Sequence, residues 1–248
     1  MYIGVDLGSR TVKMAVWDGE RLVNHQIAAS GFEPHRQAEK MISGYRAKKV
    51  VATGYGRHLA ADHFADAVIT EIKAHALGIF HHFPGCTTIV DVGGQDSKVI
   101  SLDAAGRVMN FQMNDKCAAG TGRFLEIMAA SLAYSLDEFG RAARDARREV
   151  QINSMCTVFA ESEVISMKNR GISRDQIARA VHSSVADRLV GMLSRLGHGE
   201  TVAFSGGVAR NPCMVDLLAK RLPEARVLVP VQPDIIGALG AALHGAGG

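Results

Sequence analysis

Short apolar segments separated by turn residues fill the first third of the chain. Apolar and polar residues alternate at 12–17, which is typical of a half-buried β-strand, and Asp18-Gly19 follows as a strong hairpin signal. The neighbouring segments are either rich in β-branched residues or helical in pattern. The predicted order is three strands, a helix, a strand and a helix, at 2–5, 12–17, 21–27, 34–46, 48–53 and 71–83.

The same pattern then begins again. Three further strands are predicted at 87–94, 96–103 and 107–113, with a turn at 104–106. The segment VDLGSRTVK (5–13) aligns without gaps over VDVGGQDSK (90–98), and valine, aspartate, glycine and lysine recur at an offset of 85 residues. Two hairpins with matching glycine turns predict two similar domains.

The remainder of the chain is mainly helical in pattern. Helices are predicted at 118–133, 136–147, 158–169 and 173–197, and a small-residue helix at 235–246. A strand, glycine turn and helix start occupy 201–211, and a strand occupies 226–230. The alternation of strands and helices predicts an α/β fold.

Composition excludes several classes of function. The 248 residues carry a net charge of +3, too small to favour nucleic acid, with 47% hydrophobic and 21% charged residues. No apolar run reaches 18 residues, so no membrane span is predicted, and the first residues lack the pattern of a secretory signal. We therefore expect a cytoplasmic, reducing location. The ten histidines are interpreted as surface or core residues.

Two of the glycine turns follow an aspartate and suit phosphate binding. Glycine lets backbone N–H groups approach phosphate oxygens, and a carboxylate can hold Mg²⁺. In the first turn the candidates are Asp6 for Mg²⁺ and Ser9, Arg10, Thr11 and Lys13 for phosphate. In the second they are Asp91 for Mg²⁺, Gly93 and Gly94 for open backbone, Gln95 to orient a water, and Asp96 as a metal or water contact.

A third turn, FSGGVARN (204–211), could admit a base or ribose beside a helix start. Each turn alone is more often only a turn, but together they favour a nucleotide site. The arrangement resembles the superfamily of acetate and sugar kinases, Hsp70 and actin. That resemblance implies two duplicated ribonuclease-H-like domains with an ATP cleft between them. The expected domains are 1–85 with a returning helix at 235–248, and 86–234.

The four cysteines do not form a disulfide framework or a C-x-x-C pair, and four buried thiols are the simplest interpretation. Cys117 and Cys156, however, each precede a predicted helix, where the helix dipole favours a thiolate. Two thiolates are half the ligands of a 4Fe-4S cluster, and a two-fold dimer would supply the other half. A shared cluster is the sharper hypothesis.

Two long motifs, FQMNDKCAAGTGRFLE (111–126) and CTVFAESEVIS (156–166), closely resemble the activator (ATPase) component of 2-hydroxyacyl-CoA dehydratases. ATPase subunits of benzoyl-CoA reductases and reductases of double-cubane cluster proteins share that family. ATGYGR (52–57), SGGVARN (205–211) and GALGAAL (237–243) also fit. Arg10 departs from the pattern, in which a small hydroxylated residue follows the serine.

The resemblance implies an iron–sulfur ATPase of anaerobic metabolism. Cys117 and Cys156 of each subunit of a homodimer would ligate one 4Fe-4S cluster, and Cys86 and Cys213 would be structural. ATP or ADP with Mg²⁺ would bind each subunit, ferredoxin or flavodoxin would donate the electron, and a dehydratase or related reductase would receive it. The further implied nucleotide contacts are Gly8, Val12, Gly122, Glu161, Gly206, Gly207, Val208, Asn211 and Gln232.

Two alternatives of other classes remain open at this point. One is a small-molecule kinase or ATPase of the same fold without a cluster, in which both cysteines are merely buried. The other is a nucleotide-sensing regulator, for which no DNA-binding segment is evident. Within the resembled family, a heterodimer with a paralogous subunit is also an alternative to the homodimer.

Overall fold

The computed structural model describes residues 1–146, 150–152 and 157–247. Its strands are β1 (Tyr2–Leu7), β2 (Thr11–Trp17), β3 (Leu22–Ala29), β4 (Lys49–Thr53), β5 (Ala67–Val68), β6 (Thr88–Val92), β7 (Ser97–Leu102), β8 (Val108–Asn114), β9 (Thr201–Ser205) and β10 (Arg226–Leu228). Its α-helices are α1 (Pro34–Ile42), α2 (Arg57–His63), α3 (Glu71–His82), α4 (Gly122–Ser131), α5 (Leu136–Asp145), α6 (Thr157–Asn169), α7 (Arg174–Leu196), α8 (Pro212–Arg221) and α9 (Ile236–Ala246). Short 3-10 helices lie at Gly207–Arg210 and Pro233–Ile235. Among these described ranges, no helix has the length and apolar character needed to cross a membrane.

Two mixed sheets organise the strands. Within the described residues the strand orders are β3-β2-β1-β4-β5 and β10-β9-β6-β7-β8. In the first sheet β2 runs antiparallel to both β1 and β3, while β4 runs parallel to β1. The predicted opening meander is therefore confirmed. In the second sheet β6, β7 and β8 are neighbours in chain order, as the sequence repeat predicts.

The chain divides into two compact units. One comprises residues 1–89, 100–110 and 230–248, and the other comprises 90–99 and 111–229. In the first unit, β1 and β2 supply the centre of the core, with Val5, Val12 and Met14 fully buried. In the second, α7 is the central helix, and its buried side chains cluster with Phe124 of α4 and Phe139 of α5.

The sequence pattern places the start of α4 too early. The predicted helix begins at 118, but α4 begins at Gly122. Gly120 has a φ of +96°, outside the helical region, and the Asn114 side chain binds the carbonyls of Cys117 and Ala119. Residues 117–121 therefore form a loop, so Cys117 precedes the helix by five residues instead of opening it. The short elements α2 and β5 were also not predicted.

The small residues of α9 allow close backbone packing in the first unit. A Cβ on Gly240 would lie 1.8 Å from the carbonyl oxygen of Ala74 in α3, and one on Gly4 of β1 would lie 1.8 Å from that of Ala238. Neither position can hold a larger side chain without separating the elements. The predicted small-residue helix is thus clamped between α3 and β1.

We expect Gly240→Ala to lower the free energy of unfolding by about 2 kcal/mol, because the added methyl group must push α9 away from α3. In an ordinary helix interior, replacing glycine with alanine stabilises the protein by about 0.5–1 kcal/mol. A decrease in the free energy of unfolding would therefore in itself indicate the close packing of α9. Urea unfolding followed by circular dichroism measures it. Gly44→Ala is the matched control, since its Cβ meets nothing within 4 Å. A Gly240→Ala protein as stable as wild type would contradict this packing.

Candidate functional site

The first phosphate-type turn is built on an ion pair in the first unit. Asp6 of β1 lies opposite Lys13 of β2, and the lysine Nζ donates to Asp6 Oδ2 at 2.9 Å. The Gly8 N–H donates to the Thr11 carbonyl at 3.2 Å, which closes the turn. The Ser30 hydroxyl donates to the Gly8 carbonyl at 2.7 Å. These bonds hold a carboxylate and an ammonium at the base of a tightly held turn.

The second turn repeats this chemistry in the second unit. Lys98 Nζ donates to Asp96 Oδ1 at 2.7 Å and lies 3.5 Å from Asp91 Oδ2. All three side chains are buried, and the Gly93 N–H closes the turn on the Asp96 carbonyl at 3.0 Å. The Asp91–Lys98 pair has the same seven-residue spacing as the pair in the first turn. Asp96, predicted as a metal or water contact, is bound directly to the lysine.

The other candidate residues differ in their exposure. Ser9, Arg10 and Gln95 are exposed, and Thr11 is half-buried. The Val12 side chain is fully buried in the core, which leaves only its backbone for a ligand. Glu161 is exposed on α6, while Gln232 is half-buried just before the 3-10 helix Pro233–Ile235.

The third turn is tied to the second. The Ser205 hydroxyl donates to Asp91 Oδ1 at 3.1 Å. Gly206 has a φ of +85°, and a Cβ there would lie 2.3 Å from the Val92 carbonyl oxygen, so only glycine fits. Gly207 is exposed and begins the 3-10 helix, whereas Val208 is buried. The glycine pair therefore lies directly against the strand end that carries Asp91.

The Asn211 side chain, predicted as a nucleotide contact, makes its hydrogen bonds within the protein. Its Oδ1 accepts hydrogen bonds from the N–H groups of Cys213 and Met214 and so caps α8, and its Nδ2 donates to His182 Nε2 at 2.9 Å. His182 Nδ1 in turn donates to the Ala178 carbonyl at 2.7 Å. His182 is therefore neutral, and burial lowers its pKa to about 4.

The loop that carries Cys117 is held from both sides in the second unit. From the strand side, Asn114 Nδ2 donates to the carbonyls of Cys117 at 3.0 Å and Ala119 at 3.2 Å. From the helix side, the N–H and hydroxyl of Thr121 both donate to the Ala118 carbonyl, at 3.0 and 2.6 Å. The backbone of the cysteine loop is thus well defined.

The start of α4 is bonded to the second phosphate-type turn. The Gly122 N–H donates to the Gly93 carbonyl at 2.9 Å, and the Arg123 N–H donates to the Gly94 carbonyl at 2.8 Å. These are N–H groups of the first helical turn, which have no acceptor within the helix. Gly122, predicted as a nucleotide contact, therefore joins the turn to the segment that follows Cys117.

The three described cysteines have different surroundings. Cys86 is buried, and its thiol donates to the Thr88 carbonyl at 3.3 Å. Cys213 is also buried, which raises its pKa to about 11. Cys117 is half-buried and faces a cavity of about 600 Å³. Cys156, the other predicted ligand, lies outside the described residues.

Arginines and amides line the cavity beside Cys117. Gln112 and Asn114 of β8 and Arg188 and Arg195 of α7 contribute to its wall. No group of three or more histidine, cysteine or carboxylate side chains suited to a metal ion occurs in the described part of the chain. A metal group bound at Cys117 would therefore need ligands from outside those residues.

Sequence reasoning missed several residues that organise these sites. No role was predicted for Asn114, although it lies in the quoted cysteine motif, or for Ser205, which precedes the glycine pair. His182 has no local pattern that sets it apart from the other histidines. A weak signal existed for Asn114 alone, because asparagine next to glycine-rich loops often bonds nearby backbone groups. The His182–Asn211 contact spans 29 residues and has no local signature.

Comparison with known proteins identifies the family. Residues 3–245 match the sequence profile of the BadF/BadG/BcrA/BcrD ATPase family. The chain belongs to this ATPase family. The resemblance seen in its motifs is therefore confirmed over nearly its whole length.

Named relatives within the family are similar along their full length. The chain is 44% identical to the activator of lactoyl-CoA dehydratase from Anaerotignum propionicum, covering 98% of this chain and 96% of the relative. It is 42% identical to the 2-hydroxyisocaproyl-CoA dehydratase activator from Clostridioides difficile, with 98% and 93% covered. It is 30% identical to one of the benzoyl-CoA reductase subunits from Thauera aromatica, with 98% and 92% covered.

Solved structures confirm the predicted fold class for this family member. The Clostridium difficile activator of 2-hydroxyisocaproyl-CoA dehydratase with bound ADPNP superposes with a TM-score of 0.92 at 42% identity, covering 100% of this chain and 95% of the other. A ROK family glucokinase from Streptomyces griseus gives a TM-score of 0.62 at 14% identity, covering 100% and 99%. The second likeness shows only that the two chains share a fold.

We expect this ATPase family member to lose stability between pH 6.5 and 4 through His182. The pKa of His182 is lowered to about 4 in the folded state. Between pH 6.5 and 4 this side chain therefore binds a proton in the unfolded chain but not in the folded one. The stabilisation is complete above pH 6.5, and roughly 3 kcal/mol is lost by pH 4.

Urea unfolding at pH 7 and pH 4 measures this loss. The His182→Gln protein should lose roughly 3 kcal/mol less than wild type over the same interval, whereas His58→Gln, a change in α2, should follow wild type. An unchanged pH dependence in His182→Gln would show that His182 is not held neutral.

Proposed function

We propose that this protein is an ATP-hydrolysing iron–sulfur activator that delivers a low-potential electron to a partner 2-hydroxyacyl-CoA dehydratase. One observation carries the proposal: the first N–H groups of α4 bind the turn at Gly93 and Gly94, and Cys117 lies five residues before this helix. A nucleotide-dependent change in that turn would therefore reach the cysteine loop through two hydrogen bonds.

ATP binding is supported by the two aspartate turns and by the family. We assign Asp6 and Asp91 to Mg²⁺, and the exposed Gln95 to the attacking water. The backbone N–H groups of the glycine turns and Lys13 would contact phosphate oxygens. A solved relative that shares 42% identity has ADPNP bound. No phosphoryl acceptor is required, because ATP hydrolysis would drive a conformational change.

The surroundings of Cys117 suit a ligand of an iron–sulfur cluster better than a buried structural thiol. Cys117 is partly accessible, whereas Cys86 and Cys213 are enclosed in the protein. Its loop is held by side-chain and backbone bonds that leave the thiol itself unengaged among the described residues. Cys117 and Cys156 from each of two subunits would hold a 4Fe-4S cluster. When bound, such a cluster supplies one-electron transfer at a low potential.

The partner and the assembly are inferred from the relatives and from the surface. Three relatives named for dehydratase activation share 38–44% identity, compared with 30% for the benzoyl-CoA reductase relative, so a dehydratase is the favoured electron acceptor. Val158 and Phe159 expose 67% and 68% of their surface in the first turn of α6, shortly after Cys156 in the sequence. Exposed apolar groups there suit a homodimer that shares the cluster. Ferredoxin or flavodoxin would be the electron donor.

Iron analysis after anaerobic purification tests the cluster. We expect a brown protein with about four iron atoms per dimer. Cys117→Ser should lose most of this iron, because a hydroxyl group is a poor ligand for iron–sulfur clusters. Cys86→Ser is the matched control, since serine can donate the same bond to the Thr88 carbonyl.

A colourless wild-type protein, with a Cys117→Ser variant indistinguishable from it, would refute the activator. If that protein phosphorylated a small molecule, the cluster-free kinase would replace the proposal. If it bound ATP without turnover, the nucleotide-sensing regulator would do so.

Replacing Asp91 tests the nucleotide role. We expect Asp91→Asn to lower ATP turnover on the order of 100-fold, because a Mg²⁺ ligand is lost near the transferred phosphate. ATP-dependent activation of a 2-hydroxyacyl-CoA dehydratase, measured as enoyl-CoA formation, should fall in parallel. Asp137→Asn, an exposed change in α5, should leave both rates unchanged. Normal turnover in Asp91→Asn would remove Asp91 from the site.

A further inference from the structure

Asn114 makes an unusual pair of contacts at the end of β8. It is the last residue of the strand, and its amide nitrogen donates to two carbonyls of the following loop, those of Cys117 at 3.0 Å and Ala119 at 3.2 Å. Asn114 is half-buried and lies in a strand, so its side chain can hold the following loop in place. Both N–H bonds of the amide nitrogen are thereby used to set the direction of two peptide groups.

The direction of these carbonyls also fixes two N–H groups. In a planar trans peptide the C=O and the N–H point in opposite directions. The carbonyls of Cys117 and Ala119 point at Asn114, so the N–H groups of Ala118 and Gly120 point away from it. Within the described part of the chain, neither N–H donates to another group. The two oriented donors thus lie one and three residues after Cys117, with no acceptor among the described residues.

We propose that Asn114 is a positioning residue that turns these two peptide groups so that their N–H donors serve the sulfur atoms of a cluster bound at Cys117. The inference rests on the proposed function and adds the means by which the chain sets the cluster's potential. N–H donors stabilise the more negative, reduced state and so raise the reduction potential. Outer-shell groups that orient a ligand also strengthen metal retention.

The opposite end of the loop explains why a separate anchor is needed. Thr121 and the start of α4 are bonded to the Ala118 carbonyl and to the turn at Gly93 and Gly94. If the turn moves, the helix end of the loop moves with it. Asn114 holds the strand end in place, so the displacement is converted into a rotation of the peptide groups between them. Without Asn114 the loop would follow α4 as a unit.

Two substitutions separate the hydrogen bonds from other effects. Asn114→Asp keeps the shape but sets a carboxylate against two carbonyl oxygens, and Asn114→Ala removes the donor without adding charge. Asn110→Asp is the matched control, because it places the same charge on the same strand roughly 13 Å away. Thermal unfolding of the metal-free proteins checks that each variant folds.

The readouts are the midpoint potential, from redox titration monitored by electron paramagnetic resonance, and the rate of iron release to a chelator. We expect both Asn114 variants to titrate at a more negative potential than wild type and to release iron several-fold faster. Asn110→Asp should match wild type in both. A folded Asn114 variant that fails to retain iron at all would also support the proposal.

Two negative results have different meanings. If wild type holds iron and both Asn114 variants keep its potential and its rate of iron release, the role of Asn114 is refuted while the proposed function stands. If Asn110→Asp shifts the potential as much as Asn114→Asp and Asn114→Ala leaves it unchanged, the effect is one of charge alone, and the role of Asn114 is again refuted. If wild type holds no iron, the proposed function itself fails.

Discussion

The hydrogen bonds between the start of α4 and the carbonyls of Gly93 and Gly94 are the constraint on which the second unit's chemistry depends. A helix N-terminus must satisfy its first N–H groups, and here the acceptors belong to a turn whose own shape suits phosphate. The turn and the helix therefore cannot change independently. The cysteine loop lies between β8 and α4. Any movement of α4 therefore displaces the C-terminal end of this loop, while its N-terminal end stays attached to β8.

The buried ion pairs hold the turn at Gly93 and Gly94 rigid. Lys98 has 3% of its side chain exposed and faces two carboxylates, one of which also accepts a hydrogen bond from Ser205. Removing one partner would leave an uncompensated buried charge, which typically costs about 3–5 kcal/mol. In the proposed nucleotide site, the strand ends that carry Asp91 and the glycine pair at 206 and 207 are thus held in place by the protein's own contacts. A site organised in advance loses less entropy when it binds its ligand.

The features that sequence could predict are local ones. Strand alternation, the Asp18-Gly19 turn and the repeat at an offset of 85 residues led to the hairpins, to the paired aspartates and to the fold class. The start of α4 is predicted too early because one asparagine side chain and a glycine with positive φ outweigh the helical periodicity of residues 118–121. The His182–Asn211 bond depends on packing between α7 and the α8 cap, which no single segment encodes.

The position of α9 has a consequence for synthesis of the protein on the ribosome. The sheet of the first unit is complete in sequence by residue 68, yet the helix that covers Ala15 and Trp17 begins at residue 236. At about 5–20 residues per second, roughly 8–34 seconds separate the two. During that interval the nascent sheet exposes an apolar face while the second unit is still being made. Folding of the first unit's core is therefore completed only after α9 has been synthesised.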